Sequence, residues 1–294
     1  MNIRQLANIK IKYQRLCYTQ ILRLFVVCAI ALFLFGCGID RNIKKGEKFL
    51  AIGEYYDAAT QFKTAYQRTP AKDRTQRGQL AAKMAFCYDQ ISASQRAIAA
   101  YRNVIRYKQD DKDTHLKLAA NLMKAGSYPE AIKEYSIALD SMPDNDIARE
   151  GLAAATKAPT IKEQGSYYQV KKMDKFNSRR QDYSPMLFGD QYNQLYFTST
   201  RNEAQGDEIS GITGVKPGDI FVSEKDEKGK WGIPHAIESG LNSEADEGTP
   251  AFSVDGREVY ITQCLTDPTY PRFAQISVSS RADAAWGKPK KLEI

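Results

Sequence analysis

Apolar residues change their spacing twice along the chain. From Ile21 to Phe35 almost every position is apolar, with Arg23 as the interruption. As a helix this 15-residue run rises about 22 Å, short of the roughly 30 Å hydrocarbon core of a bilayer. From residue 39 to about 157 small and apolar side chains recur with a helical period, and Gly and Pro punctuate them. After Ala158-Pro159-Thr160 that period gives way to short β-rich runs separated by Gly and Asp turns. The pattern predicts an α + β multidomain chain, helices first and antiparallel strands second.

The helical part repeats itself. Gly53-Glu54-Tyr55-Tyr56-Asp57-Ala58 is followed by Phe62, Ala65 and Pro70. Gly126-Ser127-Tyr128-Pro129-Glu130-Ala131 is followed by Tyr135, Ala138 and Pro143 at the same offsets, and Ala97, Tyr101 and Val104 form a middle copy. Gly46 and Phe49, Ala85 and Tyr88, and Ala119 and Leu122 take equivalent places on an earlier helix of each unit. The step from Ala97 to Ala131 is 34 residues and that from Ala58 to Ala97 is 39, which places five extra residues near Lys72–Gln76. Asn145 to Ala155 reads as a capping helix opened by Asn or Asp. This pattern resembles the tetratricopeptide repeat, in which small residues allow two helices to cross closely and aromatics fill the space between them. The resemblance implies a protein-binding groove on the concave face of the first helices, formed by Ile43, Glu47, Leu50, Phe86, Asp89, Gln90, Leu116, Met123 and Lys124. Chaperone-type members grip a C-terminal carboxylate with Lys and Asn on the first repeat; Ile43 and Glu47 stand there and argue against that mode. His115 takes the place of a large packing residue.

A second repeat fills the β-rich part. Asn177-Ser178, Asp182 and Ser184-Pro185 return 65 residues later as Asn242-Ser243, Glu247 and Thr249-Pro250. Leu195-Tyr196-Phe197-Thr198 matches Val259-Tyr260-Ile261-Thr262, and Trp231-Gly232-Ile233-Pro234 matches Trp286-Gly287-Lys288-Pro289. Asp219-Ile220-Phe221-Val222-Ser223 matches Gln275-Ile276-Ser277-Val278-Ser279. Asp255-Gly256 is a strong hairpin signal and Asp190-Gln191 a weaker one. The unit resembles a TolB-type β-propeller blade, with the two tryptophans packed between blades. Two blades do not close a ring, since propellers need four to eight. The expectation is an incomplete propeller and a chain that is the N-terminal part of a longer protein.

Ahead of both repeats, Arg4, Lys10, Lys12, Arg15 and Arg23 precede or enter the apolar run without an acid among residues 1–36. A basic stretch and short apolar core describe a secretory signal. Leu34-Phe35-Gly36-Cys37 resembles the bacterial lipobox, in which a small residue precedes the lipid-bearing cysteine; Phe35 departs from the usual small residue, and the basic stretch is long. The resemblance implies a signal peptide over 1–36 and lipid chains on Cys37, enough for stable anchoring. A transmembrane anchor is the alternative. Gly38-Ile39-Asp40-Arg41-Asn42 lacks the acidic cluster that surface-exported lipoproteins of Bacteroidota often carry. The expected location is the outer membrane, lipid-anchored and facing the periplasm. Of the other cysteines, Cys17 and Cys28 fall in the leader, and Cys87 and Cys264 sit in different segments without metal-ligand spacing. No disulfide between them is expected.

Composition sharpens this in one respect. The net charge of +7 is concentrated in the leader: residues 1–36 carry +5, residues 37–157 another +5, and residues 158–294 carry −3. Without the leader the chain is only +2, too little for a nucleic-acid footprint. Hydrophobic residues at 43% and charged residues at 26% fit a folded globular chain rather than a disordered one. Only two histidines occur, His115 and His235, and no Walker loop, dinucleotide fingerprint, Gly-x-Ser-x-Gly or His-Glu-x-x-His is present. The acid pairs Asp207-Glu208 and Asp226-Glu227 read as solvated turns, with calcium as the alternative.

Lipobox, tetratricopeptide repeats and TolB-type blades in this order resemble a PorE-like family of Bacteroidota envelope lipoproteins associated with type IX secretion and gliding. Members usually continue into an OmpA-like, peptidoglycan-binding domain, so peptidoglycan is a partner only if such a C-terminal domain exists. The resemblance implies segments 1–36 (signal), 37–157 (three repeats and a cap), 158–176 (linker and incoming strand) and 177–294 (two blades). It implies a non-enzymatic periplasmic scaffold that binds envelope proteins through groove and propeller, and the membrane through Cys37, with no cofactor, metal or nucleic acid. The alternative is a glycan-binding lipoprotein of a nutrient-uptake system, with Trp231 and Trp286 as stacking platforms.

Overall fold

The computed structural model describes residues 38–165, 167–206, 208–265, 274–282 and 285–293. The leader, Cys37, Asp207 and Ile294 lie outside the described residues.

Seven helices follow one another along the chain among the described residues. They are α1 (38–51), α2 (Tyr55–Arg68), α3 (Arg74–Gln90), α4 (Ser94–Arg106), α5 (Thr114–Lys124), α6 (Tyr128–Ser141) and α7 (Asp146–Gln164). Each repeat pairs a first helix (α1, α3, α5) with a second (α2, α4, α6). The positions that recur in sequence are those that disappear from solvent: Ala58, Ala97 and Ala131, then Phe62, Tyr101 and Tyr135, then Ala65, Val104 and Ala138. Ala85 and Ala119 are buried where they face these rings. Gly46 packs so tightly against Phe62 that a Cβ would come within 2.7 Å of the ring. The five extra residues do not form a loop; α3 absorbs them and runs 17 residues, against 11 in α5. Its added turn is fastened by Arg77, which lies over the Tyr66 ring at 4.8 Å and donates to the Thr69 carbonyl and the Tyr107 hydroxyl.

Capping sets the helix starts. Asp73 accepts from the Gln76 N–H at 3.0 Å, and Asn145 accepts from the Ala148 N–H at 2.9 Å. The last helix corrects the expected boundary: α7 continues through Pro159 to Gln164 and stops at Gly165, which has φ +73°. Proline costs a helix one backbone bond, and at this exposed site the helix tolerates the loss. No strand forms among the described residues of 158–176, so the expected incoming strand is absent there.

Two antiparallel sheets follow. The first runs in order β1 (Asp182–Phe188), β2 (Gln194–Ser199), β3 (Asp219–Glu224), β4 (His235–Ala236). The second contains β5 (Asp246–Phe252), β6 (Glu258–Cys264), β7 (Ala274–Ala282) and β8 (Ala285–Trp286), with β9 (Lys290–Lys291) also on β7. The repeated residues now acquire reasons. Ser184 and Thr249, each before a proline, have φ of 50° and 51° and mark a bulge in β1 and β5. Asp182 and Glu247 each accept from the backbone and side chain of the serine four residues earlier, Ser178 and Ser243. Asn242 grips the preceding sheet: its side-chain amide both accepts from the Ile220 N–H and donates to the Ile220 carbonyl.

The sheets pack face to face over Tyr196, Ile220, Val222, Leu241, Val259, Ile261 and Trp286. A second cluster of Phe176, Phe197, Ala204 and Phe221 covers the outer face of the first sheet, with Trp231 against it. Sheets and helices also touch. The Gly211 and Ile212 carbonyls accept from the Asp57 and Tyr56 N–H groups, both at 3.1 Å. Helix α2, whose Glu54 makes no side-chain cap, is thus capped by the loop between β2 and β3. No described helix is long and apolar enough to cross a membrane.

Candidate protein-binding face

The first helices are linked edge to edge by side chains of the expected groove. Glu47 on α1 pairs with Lys83 on α3 at 2.5 Å. Asp89 on α3 accepts from Asn121 at 2.9 Å and pairs with Lys124 at 3.2 Å, both on α5. These contacts link α1 to α3 through Glu47, and α3 to α5 through Asp89 and Lys124. They add Lys83 and Asn121, which the sequence reading did not single out. Asn121 is fully buried, so its signal was a polar residue within an apolar stripe.

The apolar members divide. Ile43, Leu50, Leu116 and Met123 are half-buried and packed against the helical core. Phe86 is different: 40% of it remains exposed, and its ring meets that of Tyr55 edge-on at 6.1 Å. Tyr55 opens α2, next to the Tyr56 amide held by the 211–212 loop; the repeat aligns it with Tyr128 but did not point to a place beside the groove. Gln90 is exposed at the end of α3. The resulting surface is an exposed aromatic between charges that already neutralise one another. Such a surface offers burial of apolar area to a partner, with charge pairs at its border. His115 pairs with Glu134 of α6 at 2.6 Å, joining the two helices of the third repeat.

Several titratable groups of the sheets are buried and hydrogen-bonded within them. Burial pushes the Asp219 carboxyl up to about 6; the Gln205 N–H opposes the rise, and the Glu247 charge adds to it. Burial also raises Asp246, whose carboxylate accepts from the Gly218 N–H across the two sheets at 2.8 Å. Burial alone would lift Asp182 as well, but hydrogen bonds from Ser199, Arg201 and Ser178 outweigh it and hold this carboxyl low. Asp226 accepts from the Lys228 and Lys230 N–H groups and closes its own turn. His235 is exposed on the edge strand β4. Among the described residues no three His, Cys, Asp or Glu side chains stand where they could hold a metal ion.

Both tryptophans have packing partners. Trp286 is 5% exposed within the inter-sheet core, and Trp231 lies under Phe176 on one side with Lys225 over its ring. Cys87 is buried in α3, where burial lifts its thiol to about 11, and no disulfide joins it to Cys264.

No family model matches the chain, and no curated protein matches it. Solved structures do. The first tetratricopeptide domain of Spaghetti (RPAP3), bound to an HSP90 peptide, is 17% identical over 42% of this chain and 94% of its own, with a TM-score of 0.35. The MamA protein is 20% identical over 43% of this chain and 66% of its own, at 0.37. The Arabidopsis OM64 tetratricopeptide domain is 16% identical over 40% of this chain and 94% of its own, at 0.34. Each likeness spans less than half of the chain; the helical repeat stands on the packing of α1–α7 described above. The architecture is a tetratricopeptide-like solenoid followed by antiparallel sheets.

Proposed function

We propose that this chain is a non-enzymatic adaptor that binds another envelope protein along the first-helix face of its solenoid. The observation that carries the reading is Phe86, a large aromatic left 40% exposed on a face whose neighbouring charges are already paired. A partner that buries this ring gains apolar contact without having to strip water from an unpaired charge. Phe86→Ala should weaken partner binding at least tenfold, measured by titration of the isolated partner, while leaving the helical content unchanged. Unchanged affinity would remove the face from the account. Leu116→Ala and Met123→Ala are poorer probes, because both side chains pack on the core and their loss lowers stability as well.

In this reading Cys37 carries lipid and holds the adaptor at the outer membrane, facing the periplasm. The support is the apolar run ending in Phe35-Gly36-Cys37. Metabolic labelling with a fatty acid should mark the wild type and not Cys37→Ala. Labelling of both would move the anchor elsewhere. A place in type IX secretion or gliding is the finer version of the same proposal, supported by the order of lipobox, repeats and blades.

A further inference from the structure

One end of the solenoid gathers cations that no acid answers. Arg68 closes α2, Arg74 opens α3 and Arg106 closes α4, and all three are exposed. Side-chain contacts draw these helix ends together. The Arg74 guanidinium lies 5.4 Å from the centre of the Tyr107 ring and donates to the Arg106 carbonyl at 2.8 Å. The Arg106 guanidinium lies over the same ring at 6.0 Å. Arg77, half-buried in α3, donates to the Tyr107 hydroxyl, which meets the Tyr66 hydroxyl at 3.2 Å. The Arg77 Nε–H reaches the Thr69 carbonyl, next to Arg68.

Among the described residues none of these four arginines is ion-paired, whereas Arg102, Arg149 and Arg201 each face a carboxylate. Two acids at this end are turned to their own backbone. Asp73 accepts from the Gln76 N–H, and Asp111 accepts from the Asp113 N–H and the Thr114 hydroxyl. Like charges gathered without a counter-charge repel one another, and the tyrosine faces offset that repulsion in part. A guanidinium carries five N–H donors. The bonds above use one on Arg74, two on Arg77 and none on Arg106. The remaining planar forks suit the oxygens of a phosphate group, which would also supply the missing negative charge.

The place of the cluster says where that phosphate comes from. Gly38, the residue after Cys37, lies against Arg68, and a Cβ on it would come within 3.2 Å of the Arg68 Nη1. We propose that Arg74, Arg77 and Arg106 bind the phosphate of an anionic lipid headgroup, with Arg68 beside them where the chain meets the membrane. The phosphate site rests on the arginine cluster alone; its lipid source rests on the proposed anchor at Cys37. An anionic leaflet attracts guanidinium groups held near its surface, and a second contact of this kind strengthens a lipid anchor.

Chemical modification tests it on the full 294-residue chain, produced in bacterial cells and moved from detergent into vesicles of phosphatidylcholine with or without phosphatidylglycerol. Phenylglyoxal modifies guanidinium groups, and mass spectrometry reads the rate at each arginine. Phosphatidylglycerol should slow modification of Arg74, Arg77 and Arg106 at least about fivefold, the pull of an anionic leaflet on one cation. Arg96, exposed at the other end of α4, should keep its rate. Arg74→Gln combined with Arg106→Gln, both at exposed positions, should remove the protection of Arg77. Equal rates in the two kinds of vesicle would overturn the proposal, as would slowing that extends to Arg96. Protection by inorganic pyrophosphate in detergent, without protection by phosphatidylglycerol, would overturn the lipid source. Fatty-acid labelling of the same preparation reports the anchor separately, so a labelled chain with equal rates overturns this inference and leaves the anchor standing.

Discussion

Asp219 shows how much of this chain's polar sequence serves packing. Its carboxyl is fully buried, and burial lifts it to about 6, so the ionised form is the penalised one. The folded state holds the proton more tightly than the unfolded state, and this contribution to stability is lost as pH rises from the ordinary carboxylate range through about 6. Asp182 has the opposite sign, since its low carboxyl stabilises above its ordinary range and loses that contribution in acid. Asp219→Asn keeps an acceptor for the Gln205 N–H. It should raise stability at pH 7.5 by on the order of 1–2 kcal/mol, and flatten the fall in Tm between about pH 4 and 6. Asn242→Ala leaves the Ile220 N–H without its partner in a buried place and should cost about 1–3 kcal/mol by denaturant titration. Asp182 and Glu247 were visible in the sequence as equivalent positions, because each makes the same local bond to the serine four residues earlier; Asn242 repeats Asn177 as a letter, yet its clip on Ile220 is not repeated at Asn177. Asp219 was visible only as the first residue of a strand, because its environment comes from a strand 28 residues away.

At the scale of elements the helices were the most legible part. Small and aromatic residues recur wherever two helices cross, so packing writes itself into the spacing of Ala58, Ala97 and Ala131. The length of α3 was not legible, since extra residues can either loop out or add a turn. The Arg77 contacts with Tyr66, Thr69 and Tyr107 decide for the turn. Pro159 misled in the other direction, as proline ends most helices but not this exposed one. The cap on α2 could not be foreseen, because its acceptors lie more than 150 residues downstream. Gly214 has φ +73° and lies against the Tyr56 ring, where a Cβ would come within 2.1 Å of a ring carbon. Gly214→Val should push the loop off α2 and raise exchange of the Tyr56 and Asp57 amides, with the inter-sheet core intact. Trp286→Ala should instead open that core and cost about 3–5 kcal/mol.

For the whole molecule, an exposed Phe86 and the loop that caps α2 lie close together in the chain's layout. Tyr55 touches Phe86, and the next residue, Tyr56, touches the sheet loop. A partner seated on Phe86 therefore sits beside the joint between solenoid and sheets, which is where an adaptor would be read by both of its halves. The assignment of Ile43, Phe86 and Leu116 to first helices was legible from the repeat. The division into one exposed ring and several core-packed side chains was not, since it depends on how α1, α3 and α5 lean on one another. The most direct test places a photoreactive phenylalanine analogue at position 86 of the natural protein in intact cells, with the same group at Arg102 on a second helix as the comparison. The account predicts one defined protein adduct from position 86 and none from position 102. No adduct from position 86, or the same adducts from both, would contradict it.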